Sequence, residues 1–267
     1  MSNSHHFTLD KLIDPYIPPS QLYRLPNWIS RWLGGPRKPI FDKLPDTILW
    51  LDIFIGSFIS ILTIEGVSKS SSLFQSHHVP YIIASYGASA ILAFNAINAP
   101  LAQPRNIFFG HFMASIIGVC ICKLFTLSGT GQDHYYIGGA LAVALVSVVM
   151  FLTNTIHPPA GATALIAVVD SEVREIGWWY IVVHIVSSLL MIGVALITNN
   201  VFRSYPAYWW TPYQHPVIRD EENIIEQKKT SPVIKITHRF IDIPETIQLN
   251  SFELEALESI KSKLEVL

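Results

Sequence analysis

An apolar run broken by two consecutive prolines constrains this chain more than any other feature. Residues Met150 to Val169, MFLTNTIHPPAGATALIAVV, begin as the end of a long hydrophobic segment, break at Asn154, Thr155 and His157, and resume beyond Pro158 and Pro159. Proline lacks a backbone N–H and biases the preceding residue away from helix. One helix is therefore expected to end near Ile156 and another to start with proline in its first turn. The new helix, from about Ala160, is expected to leave amide N–H groups free at its start, where the peptide dipoles sum to about half a positive charge. At membrane depth such an end attracts an anion.

Membrane depth follows from composition. Half of the 267 residues are hydrophobic, 14% are charged and the mean hydropathy is +0.37, whereas about a quarter of residues are charged in a soluble domain. A formal net charge of −2 gives no reason to expect a nucleic-acid partner. The two cysteines, Cys120 and Cys122, lie one residue apart in an apolar run and point to different helix faces. With no histidine or carboxylate at ligand spacing, they read as packing residues, and neither a metal nor another cofactor is expected.

The octapeptide His157-Pro158-Pro159-Ala160-Gly161-Ala162-Thr163-Ala164, preceded by Met150 and Thr153, resembles the signature of the HPP family of integral membrane proteins. A second block, Pro100-Leu101-Ala102-Gln103-Pro104-Arg105-Asn106 followed by Gly110-His111, is similar to that family's other signature. The resemblance covers roughly residues 45 to 200. It implies a small multi-span membrane protein. Plant members have been linked to nitrite transport in plastids, while most members lack an assigned substrate.

Three regions are expected. Residues 1–46 are polar and broken by seven prolines between Pro15 and Pro45, with no secretory-signal pattern. Within them LPNWISRWL places Trp28 and Trp32 four apart beside Arg24 and Arg31. That pattern suits a helix at the headgroup level or aromatic contacts to the membrane body. Residues 47–202 form the membrane domain, an all-α polytopic bundle of about six apolar segments, two of them proline-broken. Residues 203–267 form a short soluble α/β tail. In the tail, Val233 to Ile243 alternates as a strand, and a final helix places Leu257, Ile260, Leu264 and Leu267 on one face. It reads as an interaction tail.

Along the membrane domain the first span runs from about Ile48 to Val67, with Asp52 read as a helix-start charge at the interface and Glu65 as a carboxylate costly to bury. The second runs from about Pro80 to Ala96, where Gly87, Ala88, Ser89 and Ala90 form a small-residue packing face. The third restarts at Arg105 and carries His111. The fourth runs from Tyr136 to about Thr155. The fifth, Ala160 to Val169, is half a bilayer long at some 15 Å. The sixth, Trp178 to Val201, carries His184 between aromatic belts. Setting Pro100 against Pro158 suggests a weak internal repeat of broken segments, a pointer to a transporter's midplane site. Six crossings would place the basic connections, with Arg31, Arg37, Lys38, Lys43, Arg105, Arg203 and Arg219, on one side, so that both termini are cytoplasmic.

The candidate site gathers these breaks into one wettable hollow. Arg105 would supply fixed charge, the Ala160–Thr163 helix start with Gly161 would supply N–H donors, and Asn95, Asn98, Gln103, Asn154, Thr155 and Thr163 would orient an anion, with His157 passing a proton. Each has a structural counter-reading: Arg105 as interfacial charge, His157 as a neutral cap on the fourth helix. The leading expectation is a transporter or channel for a small inorganic anion, nitrite-like by resemblance only, in a lipid bilayer, with a homo-oligomer left open. A non-transporting scaffold with partner-binding tails is the alternative. A membrane enzyme pairing Glu65 with His111 or His157 ranks below both, because no HExxH, paired acidic motif or nucleophile elbow occurs in the spans.

Overall fold

The computed structural model describes residues 7–18, 20–35, 44–211, 235–236, 241–242 and 251–264. Four helices are long and apolar enough to cross a membrane: α3 (Asp46–Ser70), α6 (Pro104–Thr126), α8 (Tyr135–Leu152) and α11 (Trp179–Phe202). Two further helices have 12 residues each, α5 (Ala84–Asn95) and α9 (Pro158–Val169), about 18 Å against the ~30 Å of a hydrocarbon core. The expected second span is thus shortened: Pro80 to Ile83 is not helical, and a proline followed by the β-branched Ile82–Ile83 pair favours extended backbone there. Short helices α1 (Asp10–Ile13), α2 (Asn27–Trp32), α4 (Ser72–Ser76), α7 (Gly129–Gln132) and α10 (Ser171–Ile176) complete the first of two compact units, residues 1–214.

The second unit, residues 215–267, is separate in its internal contacts. Its described residues are an antiparallel pair, β1 (Lys235–Ile236) with β2 (Ile241–Asp242), and helix α12 (Ser251–Leu264). The stretch expected as one strand therefore pairs its two ends with each other. Of the residues expected to share an apolar face on α12, the side chains of Ile260, Leu264 and Leu267 lie outside the described residues.

Helix α9 is the wedge of the membrane unit. It packs on α6 and α8 through an Ala- and Gly-lined seam: Ala114, Ala142, Val146, Ala160, Ala164 and Val168 share one buried cluster. A Cβ placed on Gly118 would lie 2.7 Å from Ala167 Cβ and 2.9 Å from the Ala164 carbonyl oxygen, so glycine is what lets α6 and α9 approach this closely. Gly139 serves α8 in the same way against Leu165 and Val169. A second cluster joins α3, α5, α6 and α11 around Tyr86, Phe94, Ile107, Tyr180 and Met191. On α5, Gly87 and Ala88 turn outward, and it is Ser85, Ser89, Ala90 and Ala93 that are buried. The face expected to serve packing is in part a polar one.

Asp52 lies in the second turn of α3, as expected of a helix-start charge, but it is not solvent-facing. It is buried and ion-paired with Arg203, whose Nε lies 2.7 Å from Asp52 Oδ2. The same guanidinium donates to the Phe94 carbonyl and to Asn199 Oδ1, both at 2.7 Å. Arg31 donates to the carbonyls of Asn200 and Val201 at the end of α11, the charge that a helix C-terminus favours.

The glycine seam gives a direct check. Gly118→Leu must push backbone apart and is expected to lower stability by about 1–3 kcal/mol. Gly161→Ala, which meets nothing within 4 Å, is expected to be neutral or stabilising by up to ~1 kcal/mol. Thermal unfolding of the two variants in the same detergent separates them.

Candidate functional site

A helix broken inside a membrane frees carbonyls that have no water to bond, so each must find a donor within the protein. Three of the side chains expected to hold an anion, Gln103, Arg105 and His157, do this work, with others beside them. Gln103 is fully buried and donates from Nε2 to the carbonyls of Ile97 and Ala99, both at 2.8 Å, while its Oε1 accepts from the Ala207 N–H at 2.9 Å. Asn106 donates to the Ile156 carbonyl at 2.9 Å. Tyr205 donates to the Ala102 carbonyl at 2.7 Å; burial holds its phenol above its ordinary range, so it remains a donor.

Arg105 is 6% exposed and its charge is spent locally. Its guanidinium pairs with Asp10 through two contacts, 2.5 and 3.1 Å, and donates to the carbonyls of Thr153 at 2.7 Å and Trp210 at 2.9 Å. The Trp210 ring lies 4.2 Å from the guanidinium carbon. Asn154, in the left-handed region at φ 52°, donates from Nδ2 to Asp10 Oδ2 at 2.6 Å, and the Leu9 N–H donates to the Leu152 carbonyl at 2.8 Å. The N-terminal segment therefore clasps the start of α6 to the end of α8. Asp10 is the acidic half of that clasp.

His157 joins the two breaks. Its Nδ1 donates to the Leu101 carbonyl at 2.8 Å, and its Nε2 lies 2.8 Å from Ser89 Oγ. On the other side of that hydroxyl, 2.8 Å away, stands His111 Nε2, and His111 Nδ1 lies 2.8 Å from Thr163 Oγ1, which donates to Ser85 Oγ at 3.0 Å. His111 stacks on Tyr86 at 4.5 Å and lies 5.4 Å from His184. Tyr86 Oη lies 3.0 Å from His184 Nδ1 and 2.9 Å from Ser188 Oγ, while Tyr180 donates to the Thr163 carbonyl at 3.1 Å. His184 Nε2 is buried with no hydrogen-bond partner among the described residues. Ser85, Ser89, His111, His157, Thr163 and His184 are all at most 1% exposed.

Of the nine expected residues, Gln103 serves the first break, His157 and Thr163 meet in this cluster, and Arg105 and Asn154 meet in the Asp10 clasp. Thr155 is buried against Thr153, with their hydroxyls 2.7 Å apart. Gly161 has no close neighbour, and Asn98 and Asn95 are exposed. The expected residues thus divide between two separate clusters rather than gathering at one place. The start of α9 is also a poorer anion site than expected, because the helix begins at Pro158 and its first two residues carry no N–H; the Ala160 N–H donates to the His157 carbonyl at 2.9 Å. Glu65 lines an outer groove with Trp50, Phe54, Phe58, Ile91 and Asn95, and no hydrogen bond joins it to His111 or His157 among the described residues. No group of three or more His, Cys, Asp or Glu side chains able to hold a metal occurs among them either.

Long apolar helices, two half-length helices and a polar core at their junction define a polytopic α-helical membrane protein. The family model described as HPP, transmembrane region, matches residues 43–206, and the chain belongs to the HPP family. Two proteins of Dictyostelium discoideum, each named only as a transmembrane protein, are 37% identical over 187 residues and 38% identical over 189 residues. The match covers 68% of this chain in both cases and 57% and 63% of the relatives, so the chain spans about three fifths of their length. No solved structure matches the chain.

Asp10→Asn is expected to destabilise the protein by about 3–5 kcal/mol, because it leaves the Arg105 cation buried and unpaired. The double substitution Asp10→Leu/Arg105→Met is expected to recover most of that loss. Unfolding midpoints of the single and double variants check both statements.

Proposed function

We propose that this protein is a transporter for a small inorganic anion, with nitrite the first substrate to try because plant members of the family have been linked to its transport, and that the anion passes through the histidine–hydroxyl core rather than beside Arg105. One observation carries the reading. Three histidines, two tyrosines, three serines and a threonine are buried together in a membrane bundle; His157, Tyr86 and Tyr180 donate to carbonyls of a helix break or a neighbouring helix and Ser89 to one of its own helix, and beyond these bonds the side chains bond one another. Polar side chains at membrane depth are expensive to keep where aliphatic ones would pack. Hydroxyl and imidazole groups can give hydrogen bonds to an anion, and His184 Nε2, which has no hydrogen-bond partner among the described residues, serves as a donor in the tautomer that carries its hydrogen there.

The half-helices α5 and α9 suit such a path, since an irregular backbone at depth is the usual frame of a transporter's binding site. Arg31, Arg105 and Arg203, each tied to a helix terminus, gather charge at the end of the bundle where α3, α6 and α9 begin and α11 finishes. By the positive-inside tendency that end faces the cytoplasm.

Purified protein reconstituted in liposomes is expected to carry nitrite, and His111→Phe is expected to slow it by roughly a hundredfold with an unfolding midpoint near that of the wild type. The Asp10→Leu/Arg105→Met variant, in contrast, is expected to stay within a few-fold. Equal rates for wild type and His111→Phe, or loss only in the Arg105 variant, would overturn the path proposed. Absence of flux for nitrite, nitrate and chloride would leave a scaffold role.

A further inference from the structure

We infer that the segment from Tyr23 to Trp32 is a binding platform for anionic phospholipid, in which Trp28 enters the headgroup layer while Arg24 and Arg31 take lipid phosphates, whatever solute the bundle carries.

The segment cannot hold its shape alone. Helix α2 has six residues, well below the length at which an isolated helix is stable, and it is fixed to the end of α11 instead. Arg31 donates to the carbonyls of Asn200 and Val201 at 3.4 and 3.1 Å, Asn200 Nδ2 donates back to the Trp32 carbonyl at 3.3 Å, and Trp209 Nε1 donates to the Leu33 carbonyl at 2.9 Å. Gly34, in the left-handed region at φ 78°, lets the chain turn against Pro206, where a Cβ would lie 2.5 Å from the Pro206 carbonyl oxygen. Asn200 stands two residues before Phe202, the last residue of α11, about 3 Å along the helix axis. The last turn of a span lies where hydrocarbon gives way to headgroups. These bonds therefore set α2 at that level.

The face left free suits that layer. Trp28 is 70% exposed and Tyr23 51%, and Arg24, Arg31 and Trp32 are exposed beside them. Trp28 shares a helix face with Arg31 and Trp32, three and four residues further on. Arg24 donates from Nε to Tyr23 Oη at 3.2 Å with its guanidinium carbon 5.6 Å from that ring, and the guanidinium carbon of Arg31 lies 5.4 Å from the Trp32 ring. Both Nη atoms of Arg24 and Nη1 of Arg31 have no hydrogen-bond partner among the described residues. A tryptophan is costly to leave in water and an arginine is costly to place in hydrocarbon; the layer between them accommodates both. The apolar surface of α11 runs to the same place, with Ile197 62% exposed one turn before Val201. Charge names the occupant. Between Asp14 and Asp42 the chain holds Arg24, Arg31, Arg37 and Lys38 and no Asp or Glu, and a positive segment at headgroup depth is complementary to lipid phosphate.

The test titrates phosphatidylglycerol, against phosphatidylcholine, into the full chain purified in detergent. Phosphatidylglycerol is expected to bind at least roughly tenfold more tightly, and Arg24→Gln to weaken it by about fivefold. The triple variant Arg24→Gln/Arg37→Gln/Lys38→Gln is expected to abolish the preference. The one printed side-chain bond of Arg24 is to its neighbour Tyr23, so the unfolding midpoint of Arg24→Gln in phosphatidylcholine is expected to match that of the wild type. Arg31 stays intact, since it also holds the end of α11. A second reading uses bilayers of phosphatidylglycerol brominated just below the headgroup, which are expected to quench Trp28, seen as the difference between wild type and Trp28→Phe. Equal affinity for the two lipids, or a preference that survives in the triple variant, would overturn the platform. An unquenched Trp28 would show a face turned to water and open to a protein partner, and would overturn it too. Displacement of the lipid by millimolar inorganic phosphate would make this a site for free phosphate and overturn the lipid assignment.

Discussion

The structure depends on finding donors for the carbonyls that two helix breaks set free within the bundle. The Leu101 carbonyl of one break is met by His157 of the other, and the Ile156 carbonyl of the second by Asn106 beside the first. Each break is thus closed by a side chain from its counterpart. Because an unmet carbonyl in hydrocarbon costs several kcal/mol, the two breaks are stable together in a way that neither is alone. That mutual dependence fixes where α9 sits, and the small residues on α6 and α8 follow from it as the only ones that let the wedge come close.

Once the breaks are closed, the remaining polar groups stand out. Gln103, Asn106 and Arg105 answer needs of the backbone. Ser85, Ser89, His111 and His184 answer no helix break; apart from the Ser89 hydroxyl's bond to the Ser85 carbonyl of its own helix, they bond one another and hydroxyls nearby. A bundle that needed only to hold together could place leucine or alanine at those positions and gain packing without desolvating polar groups. This division into a structural set and a surplus set is what directs the functional reading to the core between α5, α6, α9 and α11, away from the one arginine that sequence alone brought forward.

Much of the architecture was legible in the chain. The run through Pro158 and Pro159 does break where proline must break a helix, α9 is short, and α3, α6, α8 and α11 carry the hydropathy of spans. The role of Arg105 was not legible, because its partner Asp10 lies 95 residues away in a polar segment that gives no periodic signal. The same holds for Asp52 and Arg203, 151 residues apart. Ser85 and Ser89 were hidden in a small-residue stretch that reads as packing, although their spacing of four puts them on one helix face. His184, a lone imidazole in an apolar span, gains meaning only when Tyr86 and His111 are found against it.

The central claim is that the Ser89 hydroxyl sits in an enclosed polar core that opens only when an anion is carried. Cysteine accessibility measures this most directly. In a background with Cys120 and Cys122 replaced by alanine, Ser89→Cys should resist a membrane-impermeant cationic thiol reagent from both sides of sealed vesicles in the absence of anion, and should become reactive when nitrite is present. Rapid labelling from either side without any anion would show a core open to water at rest, and would contradict the account.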